Sequence, residues 1–177
     1  MESIELNDES AIRALRWITD ILHRRAVPYQ ITGGLAAKVY GSKRTLNDID
    51  IEVPDARIVD IIEDIRQWIV LGPELYRDER WNVALVMLQY HGQEIDVCGS
   101  DGVTICDART GHWISCASDL SLAEHHKIDD MIVPVMPPHF LATYKRMLVG
   151  SHQLIDIEAI EQLLCSRNVE SARSFTS

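Results

Sequence analysis

Apolar and polar positions follow two distinct rhythms along this chain. Over residues 9–25, Ile12, Leu15, Ile18 and Leu22 recur at three- and four-residue spacing. That period predicts an amphipathic helix, with Asp8 or Ser10 as its N-cap. Residues 27–32 predict a short strand that stops at Gly33-Gly34, and residues 35–40 a short helix closed by Gly41. After a polar, basic loop the rhythm becomes strict alternation: Asp48, Asp50 and Glu52 share one face of a strand, while Ile49, Ile51 and Val53 share the other. Ile58, Ile61, Ile62, Ile65 and Ile69 return to helical spacing and predict a helix over 57–70, broken by Gly72-Pro73. Residues 75–80 are too charged to assign.

Residues 81–90 and 93–98 predict two strands joined by a His91-Gly92 hairpin turn. In the second, Glu94, Asp96 and Cys98 face one way, and Ile95 and Val97 the other. Short strands follow over 103–106 and 112–116, another over 131–136, then a helix from Pro137-Pro138 to Val149 and a last one over 154–165. The pattern predicts a mixed α/β (α+β) fold: a central, partly antiparallel sheet carries the acids on one open face and packs helices on the other. Residues 1–166 are expected to form a single domain whose short C-terminal helices wall a cleft, with 167–177 a polar tail. Trp17, Trp68, Trp81 and Trp113 fall in apolar segments and are expected in the core.

Composition narrows the function more than the fold. The 177 residues have a mean hydropathy of −0.06, with no apolar run near the ~20 residues a membrane helix needs. The first ten residues are acidic and hold no signal-peptide core. Cys98, Cys106, Cys116 and Cys165 form no CxxC pair, as expected for free thiols in a reducing cytosol. A formal net charge of −10 disfavours nucleic acid as a partner, which would need a basic footprint. It leaves open a small-molecule or protein substrate, and an acidic cleft would attract a cationic aminoglycoside.

The candidate chemistry sits between Ile31 and Val53. Three carboxylates on one strand face repel each other, so a cluster of this kind beside a glycine turn points to divalent cations. The run Ile31-Thr32-Gly33-Gly34, a thirteen-residue gap, Asp48-Ile49-Asp50 and the later Ile95-Asp96-Val97 together resemble the signature of the nucleotidyltransferase superfamily. That superfamily includes DNA polymerase β, and its small single-domain form is related to antibiotic adenylyltransferases. Farther on, Lys145 followed eleven residues later by Asp156 resembles a helix pair of small nucleotidyltransferases, although His152-Gln153 stand where those relatives carry Lys-Asp.

The resemblance implies metal-dependent transfer of a nucleoside monophosphate from an NTP, ATP first among them, to an acceptor hydroxyl, with release of pyrophosphate. It implies two Mg2+ or Mn2+ ions held by Asp48, Asp50 and Asp96, with Glu94 competing with Asp96 for the third place. Gly33 and Gly34 would let backbone N–H groups approach the triphosphate, and Arg44 and Lys145 would supply cations to it. Lys145 on its own residue pattern reads as a solvated helix lysine. The rival reading is a catalytically silent protein of the same fold that binds nucleotide or serves as a toxin–antitoxin partner. The acceptor, a small molecule or a protein, is not legible.

Overall fold

The structure, a computed structural model, describes residues 3–6 and 8–174. The chain runs β1 (Ser3–Ile4), α1 (Glu9–Arg24), β2 (Gln30–Ile31), α2 (Gly33–Val39), β3 (Asp48–Val53), α3 (Ile62–Ile65), β4 (Ile69–Arg77), β5 (Trp81–Tyr90) and β6 (Gln93–Gly99). It continues through β7 (Thr104–Cys106), β8 (Trp113–Ser115), β9 (Glu124–Ile128) and β10 (Met131–Val135) to α4 (Pro138–Lys145) and α5 (Ser151–Ser174). Among the described residues the strands form one mixed sheet, ordered β1-β9-β10-β2-β3-β6-β5-β7-β8, with β4 pairing β5. No described helix is long and apolar enough to cross a membrane.

Helix α1 forms where its periodicity predicts. Asp8 caps it by accepting hydrogen bonds from the backbone of Ser10 at 2.8 Å and Ala11 at 3.3 Å. Its buried stripe of Ala11, Leu15, Ile18 and Leu22 belongs to one core with Ile49, Ile51 and Val53 of β3 and Ile95 and Val97 of β6. Burying each large side chain there contributes about 1.5–3 kcal/mol. Alternation does the rest: pinning the isoleucines to α1 leaves Asp48, Asp50, Glu94 and Asp96 on the opposite face.

Several expectations are corrected. The helix expected over 57–70 is a 3-10 segment (Asp55–Ile61), one α-helical turn and a second 3-10 segment (Arg66–Trp68), and it ends at Trp68. Ile58, Ile61 and Ile65 are still buried, but β-branched residues crowd an α-helix and the three-residue step from 58 to 61 suits the tighter helix. Gly72-Pro73 does not end an element. Strand β4 passes through it, with shifts in register against β5 between Ile69 and Leu71 and between Leu71 and Glu74. The strand expected over 27–32 pairs only at Gln30–Ile31. The charged run Glu124–Ile128, not anticipated as a strand, forms β9 against β10. Helix α4 stops at Lys145, short of Val149, whereas the last helix runs on through Ser174, where a polar tail was expected. Residues 175–177 of that tail lie outside the described residues. Trp113 is 43% exposed rather than core, with Arg77 over its ring.

Candidate active site

The parallel pairing of β3 with β6 fixes the acidic face. Its register sets Asp48 beside Glu94, Asp50 beside Asp96 and Glu52 beside Cys98. Neighbours in register on adjacent strands project to the same side, so four carboxylates crowd two ladder steps. Burial and crowding raise the proton affinity of Asp50 and Asp96. Burial first, then Asp48, pushes Asp50 up to about 6, while Lys145, a hydrogen bond from the Gly34 backbone and Arg44 pull it back. Burial, then Asp50, Glu94 and Asp48, pushes Asp96 up to about 7.

The glycine turn stands against these acids. Gly33 has φ +59°, in the left-handed region, and a β-carbon there would overlap the Asp50 carboxylate. A β-carbon on Gly34 would overlap the Arg44 guanidinium. Gly33 is therefore required both by close approach and by its backbone, whereas at Gly34 only the flexible end of Arg44 would have to give way. Their N–H groups are engaged within the protein. Gly33 donates to the Tyr144 hydroxyl at 3.0 Å, and Gly34 to Asp50 Oδ2 at 3.4 Å. The second contact is long and weak, so it is the donor an incoming anion would most readily claim.

Lys145 is corrected from the solvated side chain expected of it. It lies on the buried stripe of α4 with Leu141 and Ala142, and its ammonium donates to Asp156 at 2.9 Å and to Gln153 at 3.2 Å. Asp156 also accepts from Ser42 Oγ at 2.6 Å and from Arg44 Nε at 2.9 Å. Burial alone would raise the Asp156 carboxyl, but hydrogen bonds from Ser42 and Lys145, the Lys145 charge and the Arg44 hydrogen bond hold it below its ordinary value. This carboxylate thus fixes two cations brought together from the loop after α2 and from α4. Gly33, Gly34, Arg44, Asp48, Asp50 and Lys145 all line one cavity of about 320 Å³, together with Trp81, Tyr144 and His152. Asp96 is not in that lining. It stands one strand over, beside Asp50.

Tyr144 and Ser42 were not singled out in the sequence. A tyrosine one residue before a buried lysine carries no local signal, and its partner Gly33 lies 111 positions away. Ser42 sits in a loop whose polarity gave no hint of burial, yet it is 4% exposed.

The donor set suits a hard cation, because it consists of carboxylate oxygens. One of them, Asp96 Oδ1, is buried without a hydrogen-bond partner among the described residues, and an unsatisfied buried acceptor calls for a donor or a cation. As the side chains stand, no three His, Cys, Asp or Glu among the described residues converge into a metal cage.

No family model matches the sequence, and no curated protein matches it. Solved structures do match in three dimensions. A candidate nucleotidyltransferase from Thermotoga maritima is 18% identical, with a TM-score of 0.65 over 97% of this chain and 96% of that one. The lincomycin-bound lincosamide antibiotic adenylyltransferase LnuA is 15% identical, with a TM-score of 0.57 over 85% of this chain and 96% of that one. ANT(2″)-Ia in complex with adenylyl-2″-tobramycin is 14% identical, with a TM-score of 0.57 over 93% and 95%. The acid ladder, the glycine turn and these likenesses agree on one architecture: this chain has the nucleotidyltransferase fold.

Proposed function

We propose that this protein is an enzyme that transfers a nucleoside monophosphate from an NTP, ATP first among them, to an acceptor hydroxyl, with release of pyrophosphate and in dependence on Mg2+ or Mn2+. One observation carries the reading. The β3–β6 register sets Asp50 beside Asp96 against a glycine turn, on a cavity whose lining also holds Arg44 and Lys145. Acids that hold cations and cations that meet an anion are the two halves that metal–triphosphate recognition needs.

In this reading Asp48, Asp50 and Asp96 would hold the metal, which when bound offsets the triphosphate charge and polarises the reacting oxygens. Arg44 and Lys145, fixed by Asp156, present positive charge to the phosphates. Gly33 and Gly34 keep the backbone close, and the Gly34 N–H is free to pass from Asp50 to a phosphate oxygen. Asp96, beside Asp50 on the neighbouring strand, would take the proton of the acceptor hydroxyl. Positioning and fixed charge supply most of the rate, as in phosphoryl transfer generally. The test is pyrophosphate release from ATP in the presence of acceptor mixtures. Asp48→Asn and Asp50→Asn are expected to abolish metal-dependent release with the far-ultraviolet circular dichroism unchanged; equal release in the variants refutes the reading.

A further inference from the structure

A larger cavity, of about 560 Å³, lies between the segment from Ile114 to Asp119 and helix α4. Its size is within the roughly 300–1,000 Å³ of sites that hold drug-sized ligands. Ile114, Met136, Pro137, Phe140 and Met147 give it apolar walls. It shares Cys116, Met136 and Tyr144 with a small cavity of about 60 Å³ that reaches Asp50 and Glu52. It is therefore joined by common walls to the acid ladder, and neither Arg44 nor Lys145 is in its lining.

Two features define what this cavity would hold. The first is charge. Asp107 and Asp119 stand against Arg109 and Arg146 in the lining, and most of these charges are already satisfied. Arg109 binds both oxygens of Asp107, at 3.1 and 2.9 Å. Arg146 binds Glu161 at 2.6 Å. Asp119 accepts from the backbone and hydroxyl of Ser121 at 3.0 and 2.6 Å.

The second is Gln30, which lines the cavity and is 1% exposed. Its Nε2 donates to Glu52 at 2.7 Å, while its Oε1 is buried with no hydrogen-bond partner among the described residues. Exchanging the amide ends would set an acceptor against the Glu52 carboxylate, so the orientation is fixed. A buried acceptor left in this state is unfavourable, and a ligand that brings a donor to it removes that cost.

We propose that this cavity takes the acceptor, and that the acceptor is a neutral, mainly apolar small molecule with one reactive hydroxyl and a second O–H or N–H donor directed at Gln30. The proposal rests on the nucleotidyl-transfer reading and names its substrate class. The acceptor oxygen forms a bond to the α-phosphorus of the NTP as the bond from that phosphorus to the β-bridging oxygen breaks. Pyrophosphate leaves with the bonding pair, and the hydroxyl proton passes to a carboxylate of the ladder and on to water. A polycationic aminosugar would find its ammonium groups against methionine, proline and phenylalanine, with Asp107 already bound to Arg109. The net charge of −10 thus misleads about the acceptor, since it is not concentrated in this cavity.

The test uses two panels of hydroxyl-bearing compounds, neutral apolar ones and polycationic aminosugars such as tobramycin. Binding is read by ligand-observed NMR on the full chain with Mg2+ and a non-hydrolysable ATP analogue present. Ala117→Trp projects bulk into the cavity from an exposed position and so avoids the core. The expected result is binding confined to the neutral panel, at least tenfold weaker in Ala117→Trp and weaker for donor-bearing members in Gln30→Met, with nucleotide binding by Ala117→Trp unchanged. Binding of the aminosugars in preference, no binding of the neutral panel to a protein that binds nucleotide, or binding indifferent to Ala117→Trp overturns the proposal. If the wild-type protein binds no nucleoside triphosphate at all, the underlying nucleotidyl-transfer reading fails instead.

Discussion

The Lys145 ammonium lies 2.9 Å from the Asp156 carboxylate, and both side chains are closed to solvent. Removing one partner of a buried pair strands the other charge, at a cost of about 3–5 kcal/mol. Asp156→Asn is therefore expected to lower the unfolding free energy by about that amount in urea titrations. It should also weaken nucleotide binding, because Arg44 loses its anchor as well. The double variant Lys145→Met, Asp156→Leu should regain much of the stability, since an apolar pair of similar volume replaces the ions, and none of the nucleotide affinity. Recovery of both would show that the pair serves the fold alone.

Stability should depend on pH with opposite signs at two places in the site. Asp50 and Asp96 are raised to about 6 and about 7, above the ordinary value of about 3.9. The folded state then holds protons that the unfolded chain has released, so their contribution is full below about pH 4 and is lost as pH rises to about 7. Asp156 is lowered, so its contribution is present above about pH 4 and is lost as acid protonates it in the folded state. Urea midpoints measured in EDTA should fall between about pH 4 and 7. Asp96→Asn should flatten that arm, leaving the variant no less stable than the wild type above about pH 7. A wild-type arm that rises with pH would contradict the ladder geometry.

Gly33 and Gly34 separate backbone strain from steric displacement. Gly33→Ala must hold a left-handed φ, which costs about 1–2 kcal/mol, and must push Asp50 aside; both stability and turnover should fall. Gly34→Ala displaces only the end of the Arg44 side chain. Its stability should change by less than about 1 kcal/mol while its KM for nucleotide rises. Thermal melts and steady-state kinetics on the two variants distinguish these outcomes.

Asp96 and Glu94 share a face but not a neighbour. Asp96 pairs with Asp50 and carries the orphaned oxygen, whereas Glu94 pairs with Asp48. Asp96→Asn is expected to lower kcat by at least a hundredfold, and Glu94→Gln by less than tenfold. The reverse order would move the third acid to Glu94.

What was legible in the sequence was local and periodic. Alternation around Asp48 and around Asp96 gave two strands and the faces of their acids, and the spacing of Leu15, Ile18 and Leu22 gave α1. What was not legible depended on contacts far along the chain. Ser42 meets Asp156 across 114 positions, and Gly33 meets Tyr144 across 111. Lys145 read as solvated because a charge outweighed its position, although its three- and four-residue spacing from Ala142 and Leu141 already placed it on the apolar stripe of α4. The strand Glu124–Ile128 lacked an apolar pattern. Its Glu124 and His126 are paired with each other and its Glu124 with Arg167, so ion pairing settles side chains that alternation would have had to reveal.

Calorimetric titration of a non-hydrolysable ATP analogue, with Mg2+ and with EDTA, into the wild-type protein and Asp50→Asn tests the central claim without needing the acceptor. A metal-binding acid ladder beside a phosphate cavity predicts one nucleotide bound per chain with Mg2+, binding at least tenfold weaker in EDTA, and a matching loss in Asp50→Asn. Nucleotide binding of equal strength in all of these conditions, or none in any, would contradict it.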